Sequence, residues 1–392
     1  MRLLLAGVSA RAAAESAARA GFAVTSIDAF GDLDQHSDVR VLVPRQGFTA
    51  RRAARMARTL DYDAAVYLAG FENHPRAIGS LASGGALWGN PPDVVRRVRN
   101  PALLQEALDR RGFPTPLALA ESRVPSPESR VPQWLVKPRA SGGGHRVRAW
   151  TAAAPVPRGY YLQELMNGTS GSVVFVAAGG RIAPLGVSRQ LIGEAAFGAS
   201  GYRYCGNVLA ARDDPQFGSS QTLFDAASAV ARAVTEEFGL VGVNGIDFVS
   251  CDGEPYAVEV NPRWTASLEL VERAHGLSVF DAHAAACVTG ALPGFDLSRA
   301  HRAAPAVGKA IVFARRSVAV GDTYAWLADP NVRDVPRPGG RIAAGQPVCT
   351  VFGVGADSAQ CHTALIERAE WVYSQLAAWE PQRARAPVGL HA

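Results

Sequence analysis

Lysine is nearly absent from this 392-residue chain, and its basic residues are almost all arginines. Only Lys137 and Lys309 are lysines among 40 basic residues. An ammonium is a compact point charge on a flexible stem, which a guanidinium does not replace at every site. In a chain that so strongly prefers arginine, a lysine that persists indicates a functional need, with retention by chance as the alternative. Lys309 also fits a surface or structural position.

Membrane-spanning runs, disulfide patterns and zinc patterns are also missing. The five cysteines are scattered without a CxxC pair, which argues against a disulfide framework and against a zinc site. No run reaches the roughly 18 apolar residues that a membrane-spanning helix needs. The first residues, MRLLLAG, lack the longer apolar run and cleavage site of a signal peptide. We expect a cytoplasmic protein that does not bind membranes.

The charge of the chain is modestly positive, and no basic stretch is interleaved with aromatic residues. Its formal net charge of +5 favours anionic small molecules over nucleic acid as ligands. The 48% apolar content supports two or three domains with cores of their own.

Residues 1–98 predict an α/β domain, because apolar runs alternate with helical segments in the pattern typical of a parallel sheet. The first turn has no GxGxxG, so a dinucleotide site is not indicated. Ligands of such sheets bind at the carboxyl ends of the strands, where Ser9, Arg11 and Glu72 lie. These residues are candidate contacts for a small polar substrate, and a helix cap is the alternative role of Ser9.

A lysine and a run of glycines mark residues 133–150. A predicted strand ends at Lys137, and the loop after it contains Ser141, Gly142, Gly143 and Gly144. Adjacent glycines let the backbone approach a phosphate chain and offer it N–H donors, while the lysine adds positive charge. The spacing is not that of a Walker motif. We interpret the segment as a phosphate site, with a flexible loop that binds nothing as the alternative.

Residues 243–263 predict a hairpin that turns at Asp252 and Gly253. The alternation of strand side chains puts Asp247, Glu259 and Asn261 on one face, opposite an apolar face. Three oxygen ligands on paired strands suit Mg²⁺, which is usually shared with substrate phosphates. A half-exposed hairpin with polar residues in water is the alternative.

Four segments in this order resemble the ATP-grasp superfamily: KP with SGGG at 137–144, LQELMNG at 162–168, GIDF at 245–248 and VEVNPR at 258–263. With an α/β domain before them and a β-rich segment after them, the chain is similar to the biotin carboxylase-like branch, and most of all to its predicted ATP-dependent carboligases. The resemblance implies a mixed α/β and α+β fold in three parts. These are a parallel-sheet pre-ATP-grasp domain at 1–98, a two-lobed ATP-grasp domain at 99–295 and a small β-rich lobe with a terminal helix at 296–392.

The resemblance also implies the cofactors and the roles of the site residues. ATP is the implied nucleotide, with Mg²⁺, or else Mn²⁺, held by Asp247, Glu259 and Asn261. Lys137 and Arg263 are the implied catalytic residues, since one would hold the phosphates and the other would stabilise the transferring phosphoryl group. The rest of the implied nucleotide site consists of Ser141, Gly142, Gly143, Gly144, Gln163, Glu164 and Leu165.

Two departures from the family pattern narrow the function. Many relatives have a further phosphate-binding lysine where this chain has Arg97 and Arg99, which leaves open whether either arginine replaces it. Biotin carboxylases also follow the NxR motif with a glutamate base, whereas Trp264 to Ser267 follow Arg263 here. Biotin carboxylation is therefore not expected.

These features predict an ATP-dependent ligase that activates a carboxylate as an acyl-phosphate and joins it to an amine, releasing ADP and phosphate. The alternatives are an ATP-dependent carboxylase or thiol ligase of the same fold, or a regulator that binds ATP without turnover. The expected partners are small-molecule carboxylate and amine substrates, and Arg203 is a candidate to grip a substrate carboxylate. The assembly state, a homodimer included, stays open.

Overall fold

A computed structural model of the chain describes residues 1–119, 133–151, 154–209, 220–296, 300 and 305–379. Within these ranges, no helix combines the length and the apolar character that crossing a membrane requires.

The N-terminal part of the chain is a parallel sheet covered by helices. Its elements are β1 (Arg2–Ala6), α1 (Arg11–Arg19), β2 (Ala23–Ile27), β3 (Val39–Leu42), α2 (Ala50–Ala57), β4 (Ala64–Tyr67), α3 (Pro75–Ala82), β5 (Ala86–Leu87) and α4 (Pro92–Val98). The strand order is β3-β2-β1-β4-β5. β1 is central because its apolar run is buried on both faces, with Leu3 in one core cluster and Leu4 in another. The predicted parallel sheet is confirmed.

A small four-stranded antiparallel sheet follows the first domain. Its order is β6-β9-β7-β8, and α5 (Pro101–Asp109) leads into it. The strands are β6 (Ala118–Leu119), β7 (Trp134–Pro138), β8 (Arg148–Ala149) and β9 (Tyr160–Glu164). Trp134, Val136 and Leu162 form the core of this sheet.

The central sheet has eight strands, and the C-terminal part of the chain contributes to it. Its elements, with the helices that pack on it, are β10 (Thr169–Ala178), β11 (Arg181–Ile192), β12 (Tyr204–Leu209), α6 (Ser220–Phe238), β13 (Gly242–Cys251), β14 (Glu254–Asn261), α7 (Leu268–His275), α8 (Val279–Val288), β15 (Ala306–Phe313), β17 (Val332–Arg333), β19 (Pro347–Gly355) and α9 (Ser358–Ala378). The strand order is β14-β13-β10-β11-β12-β15-β19-β17. The remaining strands, β16 (Val318–Ala319) and β18 (Arg341–Ile342), pair with each other.

The predicted β-rich C-terminal segment therefore shares a sheet with the preceding domain. β15 pairs with β12 and then with β19, so the hydrogen-bonding edge of β12 does not face solvent. Backbone groups at a sheet edge need partners, and a further strand of the same chain supplies them. The mixed α/β and α+β fold class is confirmed, and the exact domain boundaries stay predictions.

Candidate active site

One cavity of about 610 Å³ lies where the N-terminal sheet, the small sheet and the central sheet meet. It brings together nearly all of the predicted site residues, which come from distant parts of the chain. The cavity wall includes Ser9, Arg11, Lys137, Ser141, Gly142, Gly143, Gly144, Gln163, Glu164, Leu165, Asp247, Glu259, Asn261 and Arg263.

The predicted metal ligands lie side by side on the β13–β14 hairpin. The turn forms as predicted, because Asp252 and Gly253 both adopt positive φ, at 51° and 84°. Asp247 pairs in register with Glu259, and Asn261 donates from Nδ2 to Asp247 Oδ2 at 2.9 Å. The three side chains therefore share one face of the hairpin.

The electrostatics of this face fit a divalent cation. Burial, together with the charge of Glu259, raises the pKa of Asp247 to about 6. The neighbouring positive groups therefore compensate the negative charge of Asp247 only in part. Burial also acts to raise the pKa of Glu259, but Arg99 and Lys137 outweigh it and lower that pKa. In the described ranges, no group of three His, Cys, Asp or Glu side chains is placed to hold a metal. The donor set is two carboxylates and an amide, hard oxygen ligands that leave positions for water and phosphate.

Positive groups surround the predicted phosphate site. Lys137 Nζ donates to Gln163 Oε1 at 2.7 Å, which holds the ammonium at the end of β7. The glycine loop turns through left-handed conformations at Gly143 and Gly144, with φ of 61° and 70°. A side chain at Gly144 would collide with the carbonyl oxygen of Tyr202, so glycine is required there for close packing.

Arg99 lines the cavity, and Arg97 does not. Arg99 pairs with Glu259 and donates to the carbonyl oxygen of Ser141 at 3.3 Å, so it joins the metal face to the glycine loop. Arg97 instead lies over the ring of Phe238, 5.5 Å from its centroid. The sequence left the two arginines equivalent, and the structure distinguishes them.

The strand β9 of the implied nucleotide site has its own backbone pairing. The N–H groups of Glu164 and Leu165 donate to Leu117 O and Gln133 O at 2.9 and 3.0 Å. The side chain of Gln163 lies between Lys137 and the carbonyl oxygen of Val258. Gln163, Glu164 and Leu165 all line the cavity, and their role in nucleotide binding stays a prediction.

Arg263 is fixed by the N-terminal domain. Its Nε and Nη2 atoms donate to Glu72 Oε1 at 2.8 and 2.7 Å, and Nη2 also donates to Asn261 Oδ1 at 3.1 Å. Tyr67 Oη and Asn90 Nδ2 both donate to the carbonyl oxygen of Pro262, at 2.8 and 3.1 Å. The prediction of Glu72 as a substrate contact is corrected, because this carboxylate is 3% exposed and pairs with Arg263.

Two further substrate predictions change in the structure. Arg203 does not line the cavity, since its guanidinium lies over the ring of Phe313 and donates to the carbonyl oxygen of Gly345 at 2.7 Å. Arg11 does line it, but its guanidinium is 1% exposed and pairs with carboxylates. Ser9 lines the cavity, and Ala10, not Ser9, is the N-cap residue of α1.

Three more polar residues of the central sheet line the cavity wall. Gln190 donates to Asp247 Oδ1 at 2.9 Å, and Asn207 follows in register on the next strand. Lys309, directly opposite Asn207 on β15, is 5% exposed and pairs with Glu269 at 2.6 Å. Single polar residues inside otherwise apolar strands were the available signal.

Comparison with known proteins agrees with this geometry. Residues 98–267 match the model of an ATP-grasp domain. No curated protein matches the chain by sequence. Among solved structures, carboxyaminoimidazole ribonucleotide synthase from Aspergillus clavatus, complexed with ATP, aligns with a TM-score of 0.68 and 17% identity over 96% of this chain and 98% of that one. L-amino acid ligase from Bacillus licheniformis aligns with a TM-score of 0.64 and 15% identity over 98% of this chain and 99% of that one.

Pyruvate carboxylase from Rhizobium etli aligns with a TM-score of 0.69 and 14% identity over 97% of this chain, which spans only 37% of that enzyme. The likeness to these structures is one of fold. The matched domain confirms ATP as the predicted nucleotide, together with the Mg²⁺ that ATP-grasp enzymes use. Residues 98–267 thus match an ATP-grasp domain, and the chain as a whole shares the fold of these solved structures.

Proposed function

We propose that the protein is an ATP-dependent ligase that converts a carboxylate into an acyl-phosphate and joins it to an amine. The observation that carries this proposal is the meeting of Lys137, Arg99 and the glycine loop with Asp247, Glu259 and Arg263 in one cavity. Phosphoryl transfer depends on positioning and on neutralising charge more than on covalent catalysis, and this cavity is equipped for both.

The proposed reaction has two steps. A carboxylate oxygen attacks the γ-phosphorus of ATP, the bond to the β–γ bridging oxygen breaks, and ADP leaves with that electron pair. The amine nitrogen then attacks the acyl carbon, the C–O bond to phosphate breaks, and the amine releases a proton to water. The products are an amide, ADP and phosphate.

The side chains divide the work of charge neutralisation. Lys137 and Arg99 would face the phosphates from the glycine-loop side. Asp247, Glu259 and Asn261 would hold Mg²⁺, which supplies Lewis-acid neutralisation of the phosphoryl oxygens when bound. Arg263 would contact the transferring phosphoryl group, and its bond to Glu72 sets the direction of its guanidinium.

Trapping with hydroxylamine tests this function. A panel of carboxylates incubated with Mg-ATP and hydroxylamine should yield an acyl-hydroxamate and an equal amount of ADP for the true substrate. Asp247→Asn and Glu259→Gln should abolish both products. Asp252→Asn is the matched control, because this residue lies in the exposed turn of the same hairpin. Near-normal rates in Asp247→Asn or Glu259→Gln at saturating Mg²⁺ would remove the metal assignment.

The alternatives predict different results from the same assay. A regulator would bind Mg-ATP tightly and release no ADP with any pair of carboxylate and amine. The contact of Arg99 with the glycine loop supports catalysis, because Arg99 would supply the positive charge of the phosphate-binding lysine that many relatives have. A carboxylase would release ADP when bicarbonate is supplied. Its candidate base for bicarbonate would be Glu269, the carboxylate that follows Arg263 in the cavity wall.

A further inference from the structure

Both lysines of the chain line the same cavity, but at different places on the central sheet. Asp247 lies on β13 and Lys309 on β15, with β10, β11 and β12 between them. Four strand spacings make about 19 Å along the sheet. Lys309 therefore belongs to a part of the cavity beyond the metal face, where the nucleotide phosphates do not need it.

Lys309 is part of a charged cluster, which we call the Lys309 subsite. It consists of Arg11, Glu269, Lys309, Asp334 and Thr350, all in the cavity wall. Glu269 accepts from Arg11 at 2.7 Å and from Lys309 at 2.6 Å. Asp334 accepts from Arg11 at 2.7 Å and from Thr350 at 2.5 Å. Its charged members are two cations and two carboxylates, and Arg11 also donates to Glu15 at 3.1 Å and lies 3.5 Å from Asp34.

The subsite has hydrogen-bonding capacity that its own members do not use. An ammonium has three donors, and the two contacts of Lys309 are with Glu269 and, at 3.4 Å, with the carbonyl oxygen of Ala266. The Arg11 guanidinium is fully buried and uses all three of its nitrogens on carboxylates. A free donor thus remains on Lys309.

The available acceptor is the carboxylate of Asp334. Its side chain is 23% exposed, the largest value among the charged members of the subsite. A carboxylate has about four acceptor positions, and two are occupied here. Asp334 also has a φ of 55°, an uncommon conformation for a residue other than glycine, and such conformations concentrate at functional sites.

A subsite with one free donor on an ammonium and one free acceptor on a carboxylate has a defined ligand chemistry. A ligand with a single charge would pair with only one of these two groups. A zwitterion pairs with both. We propose that the Lys309 subsite binds the head group of an amino acid, with its α-carboxylate on Lys309 and its α-ammonium on Asp334. This inference rests on the proposed function, in which the amino acid is the carboxylate or the amine substrate.

Binding without turnover tests the proposal. Each of the twenty standard amino acids is titrated into the protein, without nucleotide, by calorimetry. At least one should bind, and its Nα-acetyl and carboxamide derivatives should each bind roughly tenfold more weakly or worse, because each loses one charge-assisted contact. If no amino acid binds, or if both derivatives bind as well as the parent, the proposal is overturned.

Two variants locate the binding. Lys309→Met should lower the affinity for the amino acid by a factor of ten or more. Its affinity for Mg-ATP should stay within about twofold of that of the unaltered protein, which also checks that the variant folds. Lys137→Met is the matched control, because it should lower the affinity for Mg-ATP and leave the affinity for the amino acid unchanged. Undiminished amino acid binding in Lys309→Met would overturn the proposal. If that variant does not fold, the binding of the Nα-acetyl and carboxamide derivatives to the unaltered protein still tests the proposal.

The failure of this subsite and the failure of the proposed function give different results. Amino acid binding that depends on Lys309, without any hydroxamate or ADP, would leave the subsite standing and remove the ligase. A hydroxamate formed from a carboxylate that has no ammonium group, with no effect of amino acids on binding or on rate, would leave the ligase standing and remove the subsite.

Discussion

Replacing Arg99 by methionine should destabilise the protein, because Arg99 compensates a partly buried carboxylate. Its side chain is 11% exposed, and that of its partner Glu259 is 30% exposed. Removing one member of a fully buried ion pair costs about 3–5 kcal/mol, since the other charge remains without a partner. Glu259 keeps some contact with water and the positive charge of Lys137 nearby, so we expect a smaller loss of about 2 kcal/mol in the free energy of unfolding.

The matched control is Arg97→Met. Arg97 lies two residues earlier and packs over Phe238, outside the cavity. Its replacement should cost about 1 kcal/mol or less, the range of an exposed cation–π contact. Urea unfolding without Mg²⁺ or nucleotide measures both losses. Equal losses in the two variants would refute the assignment of Arg99 to the site.

Nucleotide binding separates the charge of Arg99 from its shape. Arg99 donates to Glu259 and also, through Nη2, to Asn73 Oδ1 at 3.2 Å and Ser141 O at 3.3 Å. A lysine keeps the charge but has no planar fork to span these groups. Arg99→Lys should therefore recover part of the stability and bind Mg-ATP more weakly than the unaltered protein. If Arg99→Lys had the full stability and the full Mg-ATP affinity of the unaltered protein, the positive charge alone would be sufficient at this position.

Three further changes test other parts of the site and the core. Glu72→Gln should lower kcat with little change in the KM for ATP, because Arg263 loses a charge-assisted bond of about 1.5–3 kcal/mol; steady-state ADP release measures both. Gly144→Ala should weaken Mg-ATP binding in calorimetry, since its side chain would meet the carbonyl of Tyr202. Burial lowers the pKa of His283 to about 4, so the stability present above pH 6.5 should fall by about 2 kcal/mol between pH 7 and pH 5, as urea midpoints at both pH values will measure.

Each of these three substitutions has a control variant or a result that would contradict its explanation. Gly143→Ala has the same left-handed backbone but open space around the new side chain, so it should weaken nucleotide binding less than Gly144→Ala. A Glu72→Gln enzyme with unchanged kcat would show that Arg263 needs no orientation. His283→Asn should flatten the pH dependence, because the buried imidazole no longer has to stay neutral. An equally steep fall in that variant would assign the pH effect to other groups.

Local sequence patterns were sufficient to predict the hairpin that carries the candidate metal ligands. Strand alternation placed Asp247, Glu259 and Asn261 on one face, and their register in the hairpin agrees with that prediction. The same is true of the central strand β1, whose continuous apolar run indicated burial on both faces. These predictions depend only on neighbours within one strand or one hairpin.

Contacts between distant segments could not be predicted in this way. Arg97 and Arg99 differ by two positions in sequence, and only the packing of the glycine loop and β14 against Arg99 separates their roles. Glu72 lies near a strand end and was predicted to contact substrate, but it pairs with Arg263, which is 191 residues away. Residue type and spacing predict where a side chain lies more reliably than which group it binds.

The N-terminal domain therefore completes the active site in addition to lining it. Glu72 holds the guanidinium of Arg263, while Tyr67 and Asn90 hold the carbonyl oxygen of Pro262. The segment that carries a candidate metal ligand and the candidate catalytic cation is thus fixed from outside its own predicted domain. A substrate bound at the strand ends of the N-terminal sheet would contact the element that orients Arg263. Under the proposed function, recognition of the substrate and alignment of the phosphoryl group would then be coupled through one buried ion pair.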